Sequence, residues 1–255
     1  MSRTKVKMLV ATHKPYDFPD SAIYVPVQVG KSLVQEDYGY LKDDSGENIS
    51  AKNRSFSELT ALYWAWENRF FKESEFCGLV HYRRYFSGSA VFGKYHILSE
   101  KEIASILDDY DVIVPKKRKY YIETVGDHYA HAHYSKDLDV LKSILKERSP
   151  EYLNAFENIM EQTSLYLYNM FVMRTEDFNA YCAWLFPILF ELEERIDISE
   201  YDSYQRRVFG FLSERLFTVW LLHHSMKTKE IKVVNTEGEN LFLKAVKMLK
   251  RKYFK

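Results

Sequence analysis

The stretch FCGLVHYRRYF, residues 76–86, decides the fold, because an apolar β-prone run is followed directly by polar and basic side chains. Residues 76–80 have the character of a strand that is buried on both faces. Such strands are typical of parallel sheets that are covered by helices. The basic side chains would then follow the carboxyl end of the strand, which is where α/β proteins bind their ligands.

A second strand of the same kind is predicted near the start of the chain. Residues 6–11 (VKMLVA) are β-prone, and the run stops at Thr12, His13 and Lys14 before Pro15, which cannot continue a ladder. Strands are also predicted at 111–114 and 166–173. Apolar residues at helical spacing predict helices at 57–71, 99–107, 138–145, 150–160, from 175 through the Trp184 region, and 204–224. This order predicts an α/β domain with a mostly parallel central sheet flanked by helices.

Two helix starts carry a capping-box pattern, in which a Ser precedes a Glu by three residues. The pairs are Ser55 with Glu58 and Ser99 with Glu102. Each Ser would accept a hydrogen bond from the backbone of the first helical turn, and each Glu would bond back to the cap. The pattern therefore predicts that helices begin at these two places.

Composition excludes several classes of protein. The chain has 255 residues, and its 36 Lys and Arg balance 36 Asp and Glu, so no nucleic-acid partner is expected. Cys77 and Cys182 form no C-x-x-C pair, which argues against a disulfide framework or a zinc finger and favours a reducing compartment. The most apolar stretch, residues 181–190, is half of the roughly twenty residues that a membrane span needs. A cytoplasmic protein is expected.

Three common catalytic signatures are absent from the sequence: the phosphate loop G-x-x-x-x-G-K-[ST], the dinucleotide fingerprint G-x-G-x-x-G and the nucleophile elbow G-x-S-x-G. The strongest local feature is instead His81, Tyr82, Arg83 and Arg84 at the predicted strand end. Two adjacent guanidinium groups there are well placed to bind a diphosphate. Pairing of both arginines with nearby carboxylates is the structural alternative.

A polar loop before the helix at 57–71 is a second candidate site. Asn48, Ser50, Lys52 and Asn53 supply amide, hydroxyl and ammonium donors, which suit phosphate or ribose recognition near a helix N-terminus. The same residue types also serve ordinary helix entries.

Histidines and carboxylates cluster at residues 127–137. His128, His131 and His133 lie between Asp127 and Asp137. The spacing lacks a Cys partner or an H-E-x-x-H pattern, so contacts to an acceptor or proton transfer are expected rather than a zinc site.

Glu214, in the run GFLSERL at 210–216, is the candidate general base, because a carboxylate can deprotonate a sugar hydroxyl. The alternative for this residue is a structural ion pair with Arg207 or Arg215.

The basic tail at 241–255 has an amphipathic pattern, which predicts either contact with an anionic membrane surface or packing on the domain 1–240.

The chain as a whole resembles the DUF4422 family of bacterial glycosyltransferases, which are encoded with capsule, exopolysaccharide and O-antigen genes. The segments that carry the resemblance follow the family's order along almost the whole chain: ATHK (11–14), GENISAKN (46–53), ELTALYWAW (58–66), GLVHYRRYF (78–86), YLYNMFVM (166–173), YCAWLFPILFELEERID (181–197) and GFLSERLFTVWL (210–221).

The resemblance implies a single GT-A-like, nucleotide-diphospho-sugar transferase domain. It implies donor contacts from Thr12, His13 and Lys14 and closure of the donor pocket by the 48–53 loop, and we place Asn169 with the histidines on the acceptor side. GT-A enzymes usually hold Mn²⁺ or Mg²⁺ with an Asp-x-Asp at a strand end, which this chain replaces by HYRR. No metal requirement is therefore expected.

Together with this resemblance, the sequence predicts a transferase that moves a hexose from a UDP-sugar to a lipid-linked saccharide, and the resemblance alone implies galactofuranose as the first donor to test. In an inverting reaction the base would be Glu214, or alternatively Asp127 or Asp137. Two rival classes are a non-catalytic carbohydrate-binding subunit, which would not need a nucleotide, and a phosphotransferase or nucleotidyl hydrolase, which would need no acceptor.

Overall fold

The computed structural model describes residues 5–237, whose strands form one ten-stranded sheet and one two-stranded sheet. Apolar and β-branched runs form the long strands, and polar stretches form the short ones. The strands are β1 (Val6–Thr12), β2 (Tyr24–Gln28), β3 (Leu41–Lys42), β4 (Phe76–His81), β5 (Arg84–Phe92), β6 (Tyr95–Ile97), β7 (Val112–Pro115), β8 (Arg118–Lys119), β9 (Ser164–Leu165), β10 (Phe171–Arg174), β11 (Thr228–Ile231) and β12 (Val233–Asn235).

Eight α-helices occur in the same part of the chain, with short 3₁₀ turns at 31–33, 50–52, 150–152 and 205–207. The helices are α1 (Asn53–Phe56), α2 (Leu59–Glu67), α3 (Glu100–Asp109), α4 (Val125–Ala132), α5 (Ser135–Arg148), α6 (Leu153–Glu161), α7 (Thr175–Arg195) and α8 (Val208–His223).

The main path of the large sheet runs β11-β7-β10-β4-β1-β2-β3. Its strands are all parallel except β10, which is antiparallel to both β4 and β7. β5 continues from β4 as an antiparallel strand and also pairs with β6 and β12. The predicted α/β class with a mostly parallel central sheet is confirmed.

The alternating residues of β1 face two different cores. Leu9 and Ala11 pack into a large core with the helices α1, α2 and α4 to α8, whereas Met8 and Val10 pack into a smaller core with α3 and β5. All four side chains are buried. Burial on both faces, worth roughly 1.5–3 kcal/mol for each large apolar side chain, explains why this strand is a continuous apolar run.

The predicted helix at 57–71 is wrong in its first turn. Ser57 has φ 53° and divides the segment into α1 and α2, and the cap of α2 receives no side-chain hydrogen bond. The Ser55 hydroxyl instead donates to the Lys52 carbonyl, and Glu58 bonds to Asn169. The Ser99 and Glu102 capping box is confirmed at the start of α3.

The predicted strand at 166–173 is also only partly correct. Residues 166–170 form an irregular connection, and β10 begins at Phe171. The reason is a turn at Tyr168 and Asn169, which have φ values of 78° and 51° and cannot extend a ladder.

No helix among residues 5–237 is long and apolar enough to cross a bilayer. The basic tail at 241–255 lies outside the described residues, so its predicted amphipathic helix and the domain boundary at 240 stay predictions.

Candidate active site

The carboxyl ends of β1 and β4 lie side by side and carry the predicted donor residues. Ala11 pairs with His81 in parallel register, so Thr12, His13 and Lys14 leave the sheet next to Tyr82. The connection before β10 reaches the same edge because the Tyr168 carbonyl bonds to His81, and the first turn of α8 joins it there because Asn169 bonds to the Gly210 carbonyl. This edge is where an open α/β sheet offers a crevice for a ligand.

Two cations converge at this edge on one carboxylate. Lys14 Nζ lies 2.7 Å from Glu237 Oε1, and Arg83 Nη1 lies 2.8 Å from Glu237 Oε2. Both cations also lie over the ring of Tyr82, at 4.9 Å and 5.5 Å from its centroid. The two cations therefore form an anion-binding position, which the carboxylate of Glu237 occupies in this structure.

The guanidinium of Arg83 is not fully satisfied by this contact. Its Nε is buried and has no hydrogen-bond partner among residues 5–237. A buried donor without a partner costs about 1–3 kcal/mol, so Arg83 Nε is a candidate donor to a ligand oxygen. The side chain is otherwise about one-third exposed, which leaves it accessible from solvent.

The loop after β1 is fixed by its own hydrogen bonds. The buried Thr12 hydroxyl donates to the Lys14 carbonyl at 2.6 Å. His13 packs edge-on against Tyr82, and burial lowers the pKa of its imidazole, with Lys14 and Arg83 acting in the same direction. Thr12 thus shapes the turn, while His13 is held neutral beside the two cations.

Glu237 reaches the site because β12 pairs with β5. Asn235 lies opposite Arg84 in that ladder, and Thr236 N–H donates to the Arg83 carbonyl at 2.9 Å. The hydroxyls of Tyr16 and Tyr95 also bond to Thr236. The segment that delivers the carboxylate is therefore anchored by several contacts.

Glu214, the predicted base, is held at the other side of this edge. Its side chain is 16% exposed, and its Oε1 accepts a hydrogen bond from the Tyr168 N–H at 2.7 Å. Burial raises its pKa to about 7, and the negative charge of Glu58 adds to this. Arg215, whose Nη1 lies 3.8 Å from Glu214 Oε2, and the Tyr168 N–H oppose the shift. A carboxylate with a pKa near 7 is suited to general-base catalysis.

The turn at Tyr168 and Asn169 connects Glu214 to His81. His81 Nε2 lies 2.7 Å from the Tyr168 carbonyl, which only accepts, so this nitrogen carries the proton. Burial lowers the pKa of His81 and keeps it neutral. Two consecutive non-glycine residues with positive φ store strain, which is concentrated at functional sites.

Asn169 fixes the carboxylate of Glu58 beneath the turn. Its Nδ2 donates to Glu58 Oε1 at 2.7 Å, and its Oδ1 accepts from the Ser213 hydroxyl at 2.9 Å. The side chain is buried, and both of its polar atoms are engaged. In this structure Asn169 holds the site together, and its predicted acceptor contact remains untested.

Gly210 allows α8 to approach the strained residue Ser57. A Cβ on Gly210 would lie 3.3 Å from the Ser57 hydroxyl oxygen, and Arg207 Nε donates to that hydroxyl at 3.1 Å. The charge of Arg207 lowers the pKa of both His13 and Glu214. Arg207 is thus a further cation of the site that the sequence analysis considered only as a partner of Glu214.

The loop residues predicted to close the donor pocket serve the loop itself. Asn48 and Asn53 bond to nearby backbone groups, and Ser50 donates to the buried Asp43. Lys52 pairs with Glu193 on α7. All four side chains thus have partners within the chain, only Ser50 contacts Asp43, and their donor role is untested.

The two alternative bases have structural partners. Asp127 forms a capping box with Thr124 at the start of α4. Asp137 is buried and accepts hydrogen bonds from the hydroxyls of Tyr129 and Tyr201, while burial raises its pKa. Glu214 is linked to the end of β4 through the Tyr168 turn, which bonds to His81, so it is the candidate that the geometry favours.

The three histidines of the predicted acceptor side lie at two places. His128 and His131 both contact the carboxylate of Glu123, and His128 stacks on Tyr120 at 4.1 Å. His133 bonds to Gln205 and packs against Phe211 at the start of α8. Burial raises the pKa of Tyr120, and the negative charge of Glu214 acts in the same direction. The stacked rings of Tyr120 and His128 are therefore close enough to the candidate base to interact with its charge.

The strand end is basic, because Lys14, Arg83 and Arg84 bring positive charge to it, and the expected lack of a metal requirement stays a prediction. Among residues 5–237, no group of three or more His, Cys, Asp or Glu side chains has a geometry that could hold a metal ion.

Fold and site together define an α/β protein with an anion-binding sheet edge next to a buried carboxylate. A family model described as a domain of unknown function, DUF4422, matches residues 7–225. The chain belongs to this family, as its sequence segments indicated.

Comparison with solved structures gives a similar molecule of known class. An apo structure of the WbbM bifunctional glycosyltransferase matches with a TM-score of 0.82 and 31% sequence identity. The match covers 92% of this chain and 46% of the WbbM chain, so the present chain spans about half the length of that protein. No protein with a curated description matches.

Proposed function

We propose that the chain is a glycosyltransferase of polysaccharide synthesis, which transfers a sugar from a nucleoside diphosphate to a saccharide hydroxyl. One observation carries the proposal: Lys14 and Arg83 converge on an anion at the same sheet edge at which Glu214 is held with a pKa of about 7. The likeness to the WbbM glycosyltransferase supports the same class of reaction.

In the proposed reaction, Glu214 accepts a proton, and Lys14 and Arg83 stabilise the leaving group. The acceptor hydroxyl attacks the anomeric carbon, a new C–O bond forms, and the hydroxyl proton passes to Glu214. The bond from the anomeric carbon to the diphosphate oxygen breaks, and its electron pair leaves with the diphosphate. Lys14 and Arg83 stabilise the negative charge that develops on the leaving group, which is the role that a cation performs in metal-dependent transferases. The displacement inverts the anomeric configuration.

The finer identity of the substrates follows the sequence resemblance. UDP is the expected carrier, galactofuranose the first hexose to test, and a lipid-linked saccharide the expected acceptor. The protein would work at the cytoplasmic face of the inner membrane, with its basic tail as one contact to the surface. Turnover with a panel of UDP-hexoses, each in the presence and absence of lipid-linked saccharide, tests these assignments. UDP release that is independent of the acceptor would instead indicate a hydrolase.

We expect the rate to depend on the protonation of Glu214. Its carboxyl has a pKa of about 7 in the free protein and must be deprotonated to accept a proton. The value of kcat/KM should therefore rise with pH and level off above an apparent pKa near 7. A profile that is flat between pH 5.5 and 8.5, or that falls across this range, would contradict the assignment.

We expect Glu237 to compete with the donor diphosphate, because its carboxylate occupies the position between the two cations. Glu237→Gln removes the competing charge, so the Kd for UDP should fall by roughly two- to tenfold, as measured by calorimetry. Glu147→Gln is the matched control, since Glu147 is also an exposed carboxylate paired with an arginine, Arg195. An unchanged or higher Kd in Glu237→Gln would show that Glu237 does not occupy the diphosphate position.

A further inference from the structure

We propose that the segment at residues 116–122, which includes the two-residue strand β8 and is here called the basic loop, is a docking surface for an anionic lipid bilayer. It follows β7 and has the sequence KKRKYYI. The basic loop is a different part of the sequence from the tail at 241–255, and the proposal stands whether or not the transfer reaction is the one proposed above.

The tip of the basic loop exposes apolar side chains. Tyr121 is 84% exposed and Ile122 79% exposed, the highest values for large hydrophobic side chains among residues 5–237. They are consecutive, and Ile122 N–H bonds to the Tyr120 carbonyl at 2.7 Å across a tight turn in which Tyr121 has φ 61°. Two adjacent apolar side chains at the apex of a turn are suited to insertion between lipid headgroups.

The tip is surrounded by positive charge. Lys116, Lys117, Arg118 and Lys119 precede it, and exposed Lys232 lies beside Lys116, whose N–H bonds to the Ile231 carbonyl. None of these five basic side chains forms an ion pair in the described part of the chain. Each basic residue near an anionic bilayer contributes on the order of 1 kcal/mol of attraction.

The acidic residues of this region are already engaged. Glu123 contacts His128 and His131, and Glu230 accepts a hydrogen bond from the Tyr166 hydroxyl. Residues 116–122 themselves carry four basic side chains and no acidic one, although the whole chain has no net charge.

This combination fits a bilayer better than other anionic partners. Nucleic acid or an acidic protein would be attracted by the five cations, but neither accounts for an isoleucine exposed next to the basic run. Aromatic and aliphatic side chains beside lysine and arginine are the usual composition of an interfacial anchor.

The direction of the loop supports the same conclusion. β10 is antiparallel to both β4 and β7, so β7 is parallel to β4 and ends at the same sheet edge. The basic loop therefore projects from the edge that carries His81 and Arg83. Docking through the loop would turn the candidate site toward the membrane surface, where any lipid-linked substrate is located.

Co-sedimentation of the full chain with vesicles tests the proposal. Vesicles of phosphatidylcholine alone are compared with vesicles that also contain phosphatidylglycerol, at low and high salt. We expect binding only to the anionic vesicles, weakened by salt. Lys116→Gln, Arg118→Gln and Lys119→Gln combined should weaken this binding by about a hundredfold, because three cations are removed. The double variant Tyr121→Ser and Ile122→Ser should weaken it by at least tenfold.

Two control variants separate the loop from other surfaces. Val91→Ser removes an apolar side chain that is 73% exposed on another part of the surface and should leave binding unchanged. Substitution of Lys244, Lys247 and Lys250 by Gln changes the tail, and the loop variants should weaken binding further in that background. Circular dichroism and thermal unfolding of each variant show whether it is folded.

Three results would overturn the proposal. The first is binding of the folded loop variants that equals wild type, and the second is the absence of any vesicle binding by wild type. The third is a wild-type chain that binds a single-stranded RNA probe through the basic loop but binds no vesicles, which would assign the patch to nucleic acid.

Discussion

Replacing Glu214 by Gln is expected to lower kcat by about 10²–10⁴-fold, which is the usual contribution of a general base. The amide oxygen of Gln can still accept the hydrogen bond from the Tyr168 N–H, so the strained turn should be preserved. The variant should therefore fold and bind UDP with an affinity close to that of wild type. Transfer is measured at steady state at a pH above 8, where wild-type Glu214 is deprotonated, so that a loss of kcat can be distinguished from a change in UDP affinity.

A matched control for this variant is Glu161→Gln, which changes an exposed carboxyl at the end of α6. Its turnover should equal that of wild type. Near-normal turnover of Glu214→Gln would remove Glu214 from the base role, and Asp127→Asn and Asp137→Asn would then be the next variants to measure. A loss of turnover in Asp137→Asn would have to be separated from a loss of stability, since this buried carboxylate bonds to two tyrosines.

Replacing Arg83 by Ala is expected to raise the Kd for UDP by roughly 10- to 100-fold. A hydrogen bond to a charged group is worth about 1.5–3 kcal/mol, and each 1.4 kcal/mol changes Kd tenfold. Arg83 has both a cationic Nη1 in contact with a carboxylate and a buried Nε without a partner in the described chain. Calorimetry in the presence of EDTA measures the effect and shows at the same time whether UDP binds without a metal.

Two further variants test the chemistry of this loss. Arg83→Lys keeps the charge but not the planar set of donors, so it should recover only part of the affinity. Arg54→Ala removes an exposed arginine on α1 and should have no effect. If wild type bound UDP only with Mn²⁺ or Mg²⁺ present, or if Arg83→Ala bound UDP as tightly as wild type, the assignment of a metal-independent anion site would be wrong.

Patterns that arise from burial could be predicted from the sequence. The strands at 6–11 and 76–80 are apolar on both faces because β1 and β4 are central in a sheet with a core on each side. The sequence analysis placed candidate residues after each of these two strands, and in the structure Lys14 and Arg83 share one carboxylate there. The helix cap at Ser99 was equally local and equally predictable.

Features that depend on distant parts of the chain could not be predicted. Glu237 contacts residues that are 223 and 154 positions away, through a short strand pairing that has no sequence signature of its own. The turn at Tyr168 and Asn169 lies within a β-prone run, and only its contacts with His81, Glu58 and Glu214 explain its positive φ values. Local propensity was overridden there by the site.

The loop at 48–53 shows a different limit of sequence analysis. Its amide and hydroxyl groups were correctly identified as hydrogen-bond donors, but they bond within the loop and to Asp43. Asp43 is fully buried and accepts from Gly30 N–H, Ser50 and Thr60, so it organises the loop. Residue type alone does not distinguish a ligand contact from a loop that satisfies its own backbone.

The most direct test of the central claim is a structure of the chain with UDP bound. We predict that the β-phosphate lies within hydrogen-bond distance of Lys14 Nζ and the Arg83 guanidinium, with Glu237 displaced from both cations. Glu214 should remain bonded to Tyr168 N–H and face the side from which an acceptor approaches. UDP bound at another surface, or phosphates that make no contact with Lys14 and Arg83, would contradict the assignment of this sheet edge as the donor site.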